Sequence, residues 1–155
     1  MDREILFKAK RKDNGEWVEG FVFEFKDKFY ITKMTQTFMT AYYSEESVVN
    51  FNMRAVEIDP DTLCQFTGLT DKNRKKIWEN DIVSIDEDYC FDGRSVVKFG
   101  RYKDIDVLDI HKCRHIGFYL DHISQLDQSR RQDIIFFCPK CKVVGNVFDN
   151  PELLN

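Results

Sequence analysis

Gln65-Phe66-Thr67-Gly68-Leu69-Thr70-Asp71-Lys72-Asn73-Arg74-Lys75-Lys76-Ile77-Trp78-Glu79-Asn80-Asp81-Ile82-Val83 is the stretch whose reading decides the fold. It reads as a strand, a tight polar turn and a second strand. β-branched and aromatic residues flank a turn built from Asp, Asn and cations, the residue types that close such turns. Nothing in it has the spacing of a nucleophile, a general base or a phosphate-binding loop.

The same pattern continues on both sides. Upstream, Ile5-Leu6-Phe7-Lys8-Ala9 and Trp17-Val18 are separated by Asp13-Asn14-Gly15, a strong turn signal. Phe21, Phe23 and Phe25 alternate with Val22 and Glu24, which predicts a half-buried strand with the three Phe on one face. Lys26-Asp27-Lys28 turns that strand into Phe29-Tyr30-Ile31, predicting a hairpin. Residues 32–47 fit neither period and read as a loop. Val49, Phe51, Met53 and Ala55 alternate, and the phase flips at Val56 and Ile58, as a β-bulge would require. Asp59-Pro60-Asp61 predicts a turn or a single helical turn, with Asp as cap and Pro at the first position. Downstream, Val83-Ser84-Ile85-Asp86, Ser95-Val96-Val97-Lys98-Phe99-Gly100, His115 to Leu120 and Val143 to Phe148 read as strands. Residues 124–132, opened by a Ser124/Asp127 capping pattern, are the best helix candidate. Short strands with turns at intervals of roughly 8–12 residues predict a mainly β chain, a barrel or a sandwich.

A chain of 155 residues fits one domain and can bury a core without metal or disulfide help. The expected organisation is a single domain over residues 1–155. Its barrel core lies within 61–100, N-terminal hairpins occupy 1–58, and 101–155 completes the fold. A helical contribution would make it α+β. The net charge of −4 argues against broad nucleic-acid binding, which needs many cations to displace counterions from phosphates. Two local basic runs remain, Lys8-Lys10-Arg11-Lys12 and Lys72-Asn73-Arg74-Lys75-Lys76. Both read first as solvated turns or edge strands. The second is also the candidate binding site, for a protein or a nucleic acid. Met1-Asp2-Arg3-Glu4 does not open a secretory signal, and no apolar run approaches the roughly 20 residues of a membrane span. Five cysteines, an odd number without secretory context, predict reduced thiols in a cytoplasm.

Four stretches together resemble the YopX family, encoded by phages and prophages of bacteria. Arg3 to Ala9 leads to Trp17-Val18-Glu19-Gly20-Phe21. Val56 to Thr62 runs into Gln65 to Leu69. Asp71-Lys72-Asn73 continues through Ile77 to Val83. The last is Val144-Gly145-Asn146-Val147-Phe148-Asp149-Asn150-Pro151-Glu152-Leu153-Leu154. The resemblance implies a β-rich fold with an SH3-like small barrel, and self-association into a homo-oligomer. It implies no activity. Two positions depart from the family pattern, which usually has Gly at Arg74 and often at Asn80. Asn tolerates left-handed backbone angles and keeps the turn; Arg tolerates them poorly. Either the turn at 72–75 differs in type, or Asn73 takes the positive-φ place.

Cys138-Pro139-Lys140-Cys141 has the spacing of a zinc knuckle, in which two thiolates reach one tetrahedral ion. A structural site needs four ligands, and no second Cys-x-x-Cys exists. Cys113 and His115, within His111-Lys112-Cys113-Arg114-His115, complete the set best, with Cys64 and Cys90 as other donors. Two reduced structural cysteines are the plainer reading, so no cofactor is expected, with zinc as the alternative. Asp81, Asp86, Glu87 and Asp88 could bind a divalent cation, but read first as a solvated strand end. His111, His115 and His122 share a neighbourhood with Asp104, Asp106 and Asp109, without a nucleophile motif. Trp17, Phe21, Phe23, Phe25, Phe66 and Trp78 read as core, or in part as a groove for a peptide or for stacked bases. These absences predict a non-enzymatic module.

Overall fold

The computed structural model describes residues 4–32, 55–85, 93–103, 114–123, 132–134 and 140–155. The chain's contacts divide it into two compact units, Met1–Phe66 and Thr67–Asn155.

In the first unit, Asn14-Gly15 closes a hairpin between β1 (Phe7–Lys10) and β2 (Trp17–Phe25), with Phe7 opposite Gly20 and Lys10 opposite Trp17. β2 then pairs with β3 (Lys28–Thr32), and β3 with the short β4 (Val56–Glu57). β5 (Cys64–Thr70) adds to the other side of β1, giving the order β4-β3-β2-β1-β5. Between β4 and β5, Pro60–Thr62 forms one 3-10 turn. The Asp59 side chain caps it by accepting from the Asp61 N–H, as the Asp-Pro-Asp reading requires. Ala9, Ile31 and Ile58 are fully buried and make the core with Phe7, Val18, Val22, Phe29 and Leu63.

That core corrects the expected face of β2. Val18 and Val22 point inward, whereas Phe21 is 37% exposed and Phe23 stacks on Tyr30 at 5.5 Å. Period-2 alternation separates two faces without saying which one is covered. The Phe series marks the outer face. The β2–β3 loop has only two residues, Lys26 and Asp27, both with left-handed angles (φ 50° and 59°). That is the geometry of a type I′ turn, which favours Asn-Gly. Replacing Lys26-Asp27 by Asn-Gly is expected to raise stability by about 1 kcal/mol, read as a shift of the urea midpoint.

β5 runs out of the first unit at Phe66. In the second, its remaining residues lie beside β6 (Lys76–Trp78), and the Thr67 hydroxyl donates to the Ile77 carbonyl at 2.8 Å. β7 (Asp81–Ile85), β8 (Arg94–Lys103), β9 (Arg114–Ile123), β10 (Gln132–Ile134) and β11 (Cys141–Asn146) form an antiparallel sheet ordered β10-β9-β8-β7-β11. Ile77, Val83, Val97, Phe118, Leu120, Cys141 and Val143 close its core, with Leu69 against them.

The fold is mainly β and antiparallel, as expected. Among the described residues the strands form open sheets, not a closed small barrel. The expected core over 61–100 fails to close because β7 and β8 pair onward with β11 and β9, both far downstream in sequence. The helix expected over 124–132 lies outside the described residues except for Gln132, which opens β10. The irregular segment 32–47 and the first half of the bulged strand lie outside them too, apart from Thr32 at the end of β3.

Candidate functional site

The polar turn of the signature stretch is organised by one carboxylate. Asp71 is buried, and its Oδ1 accepts from the N–H groups of Asn73 and Lys75 at 2.8 and 2.9 Å. Its Oδ2 accepts from the Val143 N–H at 3.0 Å, 72 positions away in β11. The backbone closes the same loop, with Arg74 N donating to Asp71 O, and Asp71 N to Lys75 O, both at 2.9 Å. Burial pushes the Asp71 carboxyl upward. The N–H groups of Val143, Lys75 and Asn73, with the nearby Lys75 charge, outweigh that and hold it below the usual carboxylate range.

The turn also covers a sheet edge. Val143 N donates to Asp71, and Cys141 O accepts from Lys72 N at 3.0 Å. Those backbone groups face away from β7 and would otherwise stand open to a further strand.

Lys72, Asn73, Arg74 and Lys75 are exposed on this mount. Lys76 is half-buried, its ammonium 5.8 Å from the Trp78 ring centre. The five candidate binding residues thus form one tip. Arg74 itself takes the left-handed angle, φ 63°. Neither a different turn nor Asn73 relieves it, because the Asp71 bonds to Asn73 and Lys75 bracket Arg74 from both sides. Arg74→Gly removes the Cβ strain and should stabilise the second unit by about 1 kcal/mol, seen as a higher urea midpoint followed by Trp78 emission.

The second turn is built alike. Asn80 takes φ 64°, as its tolerance of that region allows, with its N–H on Val97 O at 2.7 Å and its carbonyl accepting from Val147 N at 3.0 Å. Asp81 is buried, and its Oδ2 accepts from the Trp78 N–H at 2.9 Å. It is a turn carboxylate; Asp86, Glu87 and Asp88 lie outside the described residues. Near the C-terminal end, Asn146 Oδ1 accepts from the N–H groups of Phe148 and Asp149, both at 2.9 Å. A Cβ on Gly145 would fall 2.5 Å from Asn150 Oδ1, so a side chain there would have to displace that of Asn150.

Of the candidate zinc ligands, Cys141 is fully buried in the apolar core of the second unit, and His115 stacks on Tyr102 at 5.2 Å. Cys138 and Cys113 lie outside the described residues, as do His111 and Cys90. Cys64 is buried in the first unit, its thiol donating to Thr62 O at 3.3 Å. Among the described residues no three His, Cys, Asp or Glu side chains gather as a metal would need. His122 Nδ1 lies 3.0 Å from the Ser95 hydroxyl, but Ser95 is fully buried and cannot meet a substrate.

The N-terminal basic run is engaged locally. Lys8 and Lys10 lie over the Trp17 ring at 4.9 and 5.6 Å, Arg11 pairs with Asp13 at 2.6 Å, and Lys12 pairs with Glu57 at 3.2 Å. Phe66 and Trp78 are buried, so an aromatic groove made from all six candidates does not form. Sequence reasoning missed Asp71, the residue that builds the tip. The available signal was an Asp two residues before Asn and four before Lys, the pattern of a side chain closing its own turn.

A sequence profile of the family described as YopX protein matches residues 6–155. A solved structure, protein EF1440 from Enterococcus faecalis, is similar at 20% identity with a TM-score of 0.44. That match covers 99% of this chain and 100% of the other. Comparison with curated proteins finds no match. Among the described residues no helix is long and apolar enough to cross a membrane.

Proposed function

The chain belongs to the YopX family, and from that premise we propose a phage or prophage accessory protein that acts in the host cytoplasm. It works as a non-enzymatic, self-associating protein-interaction module. The observation that supports this reading most is the fate of the signature's charges. Two of its three carboxylates, Asp71 and Asp81, hold backbone N–H groups, while the cations at 72–75 face solvent on that mount. Chemistry would need the reverse, reactive groups turned toward a substrate. Mass-resolved sizing, with affinity capture from lysogenic cells, tests the reading. An oligomer and a recovered phage or host protein support it; monomer alone with no partner overturns it.

A second reading has its own observation. Exposed Lys72, Arg74 and Lys75 on one tip are the footprint of a phosphate-binding contact. Binding to DNA or RNA that weakens steeply with salt, and is lost in a Lys72→Glu, Arg74→Glu, Lys75→Glu variant, supports it. No binding at low salt removes it.

A further inference from the structure

We propose that the outer edge of β8 is a docking site for an extended, acidic segment of a partner protein, which adds to the sheet as a strand. The proposal rests on the reading of this protein as an interaction module, and names a second surface beside the basic tip.

β8 and β9 are ten residues each and pair along their whole length, from Arg94 opposite Ile123 to Lys103 opposite Arg114. Their neighbours are shorter. β7 reaches only Arg94, Ser95 and Val96, and β10 only Tyr119, Leu120 and Asp121. The carbonyl of Val97 accepts from Asn80 N at 2.7 Å. Odd-numbered residues of β8 therefore turn their backbone groups away from β9, since direction alternates along a strand. Past Val97, β7 has ended. The N–H and C=O groups of Phe99 and Arg101 on that side have no partner among the described residues. An open row of this kind is what strand addition uses.

The side chains beside this edge are shaped for a polypeptide. Phe99 and Arg101 share one face with their opposite residues Phe118 and Ile116. Phe99 is 52% exposed and Ile116 is 70% exposed, and the Phe99 ring meets Phe118 edge-on at 5.1 Å. Two large apolar groups side by side invite apolar partners at alternate positions. Ile116 offers no stacking surface for a base. The charge of the ribbon selects the rest. Residues 98–102 and 115–118 include Lys98 and Arg101 and no Asp or Glu, in a chain whose net charge is −4. Lys98 is engaged with Asp121 in an ion pair, and Arg101 is exposed. A second copy's β8 edge would bring cations against cations, which is unfavourable for directly opposed strand residues. A segment alternating carboxylates with apolar residues satisfies the edge, the apolar pair and the charge together.

The test titrates the full chain with a labelled nine-residue peptide alternating Val and Glu. Controls are its Val/Lys counterpart, the Val/Glu peptide N-methylated at alternate residues, and a single-stranded oligonucleotide. The expected result is saturable binding of the Val/Glu peptide, at least tenfold tighter than the Val/Lys peptide, and lost on N-methylation. Arg101→Glu should reverse the charge preference, and Phe99→Ser should weaken binding about tenfold. Both residues are exposed, and circular dichroism confirms that each variant is folded. No saturable binding, equal binding of both peptides, or undiminished binding after N-methylation overturns the proposal. So does tighter binding of the oligonucleotide, or an oligomer that Phe99→Ser dissociates, which would assign the edge to nucleic acid or to a second copy. Failure of the peptides while lysogenic cells still yield a partner discards this edge and leaves the interaction-module reading standing. Binding of the peptide by a protein that is monomeric and recovers no partner does the opposite.

Discussion

Asp71→Ala is expected to cost the second unit about 3 kcal/mol, since hydrogen bonds to a charged acceptor are each worth roughly 1.5–3 kcal/mol and a buried orphaned donor costs as much again. The N–H groups of Asn73 and Lys75 belong to exposed residues and can turn to water. The Val143 N–H cannot, because Val143 is buried in the sheet core. Most of the loss therefore arises at β11, far from the altered residue in sequence. At 2–4 °C per kcal/mol for a chain of this size, the midpoint should fall by about 6–12 °C. The two tryptophans make the measurement specific. Trp17 lies in the first unit and Trp78 in the second, so Trp78 emission in a Trp17→Phe background follows the affected unit. A loss below about 0.5 kcal/mol would show that Asp71 does not hold the turn. Asp71→Asn should fall between Ala and wild type. It keeps one acceptor oxygen but aims an amide donor at a backbone donor.

The same carboxylate sets a pH dependence. Its pKa is depressed in the folded state, so its contribution is fully present above the unfolded value, about 3.9. That contribution is lost as pH falls through the lower folded value. Stability of the second unit should therefore decline from about pH 5 toward pH 2. Asp71→Asn should flatten that decline while lowering stability at pH 7. An unchanged acid limb would assign the decline to other carboxylates.

Gly20→Ala should destabilise the first unit by about 3 kcal/mol, the upper range for inserting atoms into a filled site. A Cβ at Gly20 would lie 2.2 Å from the Thr32 carbonyl oxygen, 2.8 Å from its carbon and 3.1 Å from Ile31 Cγ2. The first two are backbone atoms in the paired strand β3, opposite Phe21. They can move only by opening the β2–β3 ladder. Trp17 emission in a Trp78→Phe background should report the loss, with Trp78 emission in the reverse background as the comparison. A variant as stable as wild type would mean that β2 and β3 separate without cost at this point.

Much of the local structure was legible. The Asn14-Gly15 turn, the hairpin after Phe25 (read with Lys28 in the turn, where the loop is only Lys26 and Asp27), the Asp59-Pro60 cap and the left-handed Asn80 follow from side-chain and backbone preferences that act over a few residues. What was not legible depends on partners distant in sequence. Whether Phe21 or Val22 faces inward is decided by Ala9 and Ile58, and alternation alone is symmetric between the faces. A barrel closed over residues 61–100 was a local inference. It failed because β7 finds β11 and β8 finds β9. The candidate site divides the same way. The basic residues of the tip were plain from composition, but the carboxylate that mounts them was read as part of a generic polar turn, since its decisive bond goes to residue 143. Gly20 and Gly145 sit in the family-like stretches beside close neighbours: Gly20 faces backbone atoms of Thr32 that leave no room for a side chain, and Gly145 faces the Asn150 side chain, which would have to shift.

The bond from Asp71 to Val143 also orders events during synthesis. Leu6, β1 and Ile58 are all made before residue 67, so the contacts of the first unit become available early on the ribosome. The clamp in the second unit cannot close until residue 143 has emerged, after every strand from β6 to β10. Until then the signature turn lacks one of its three donors, and the core around Ile77 and Val83 lacks Cys141 and Val143. A nascent chain paused before β11 would carry a finished first unit and an unlatched second one. Factors that guard growing chains would meet the protein at that stage.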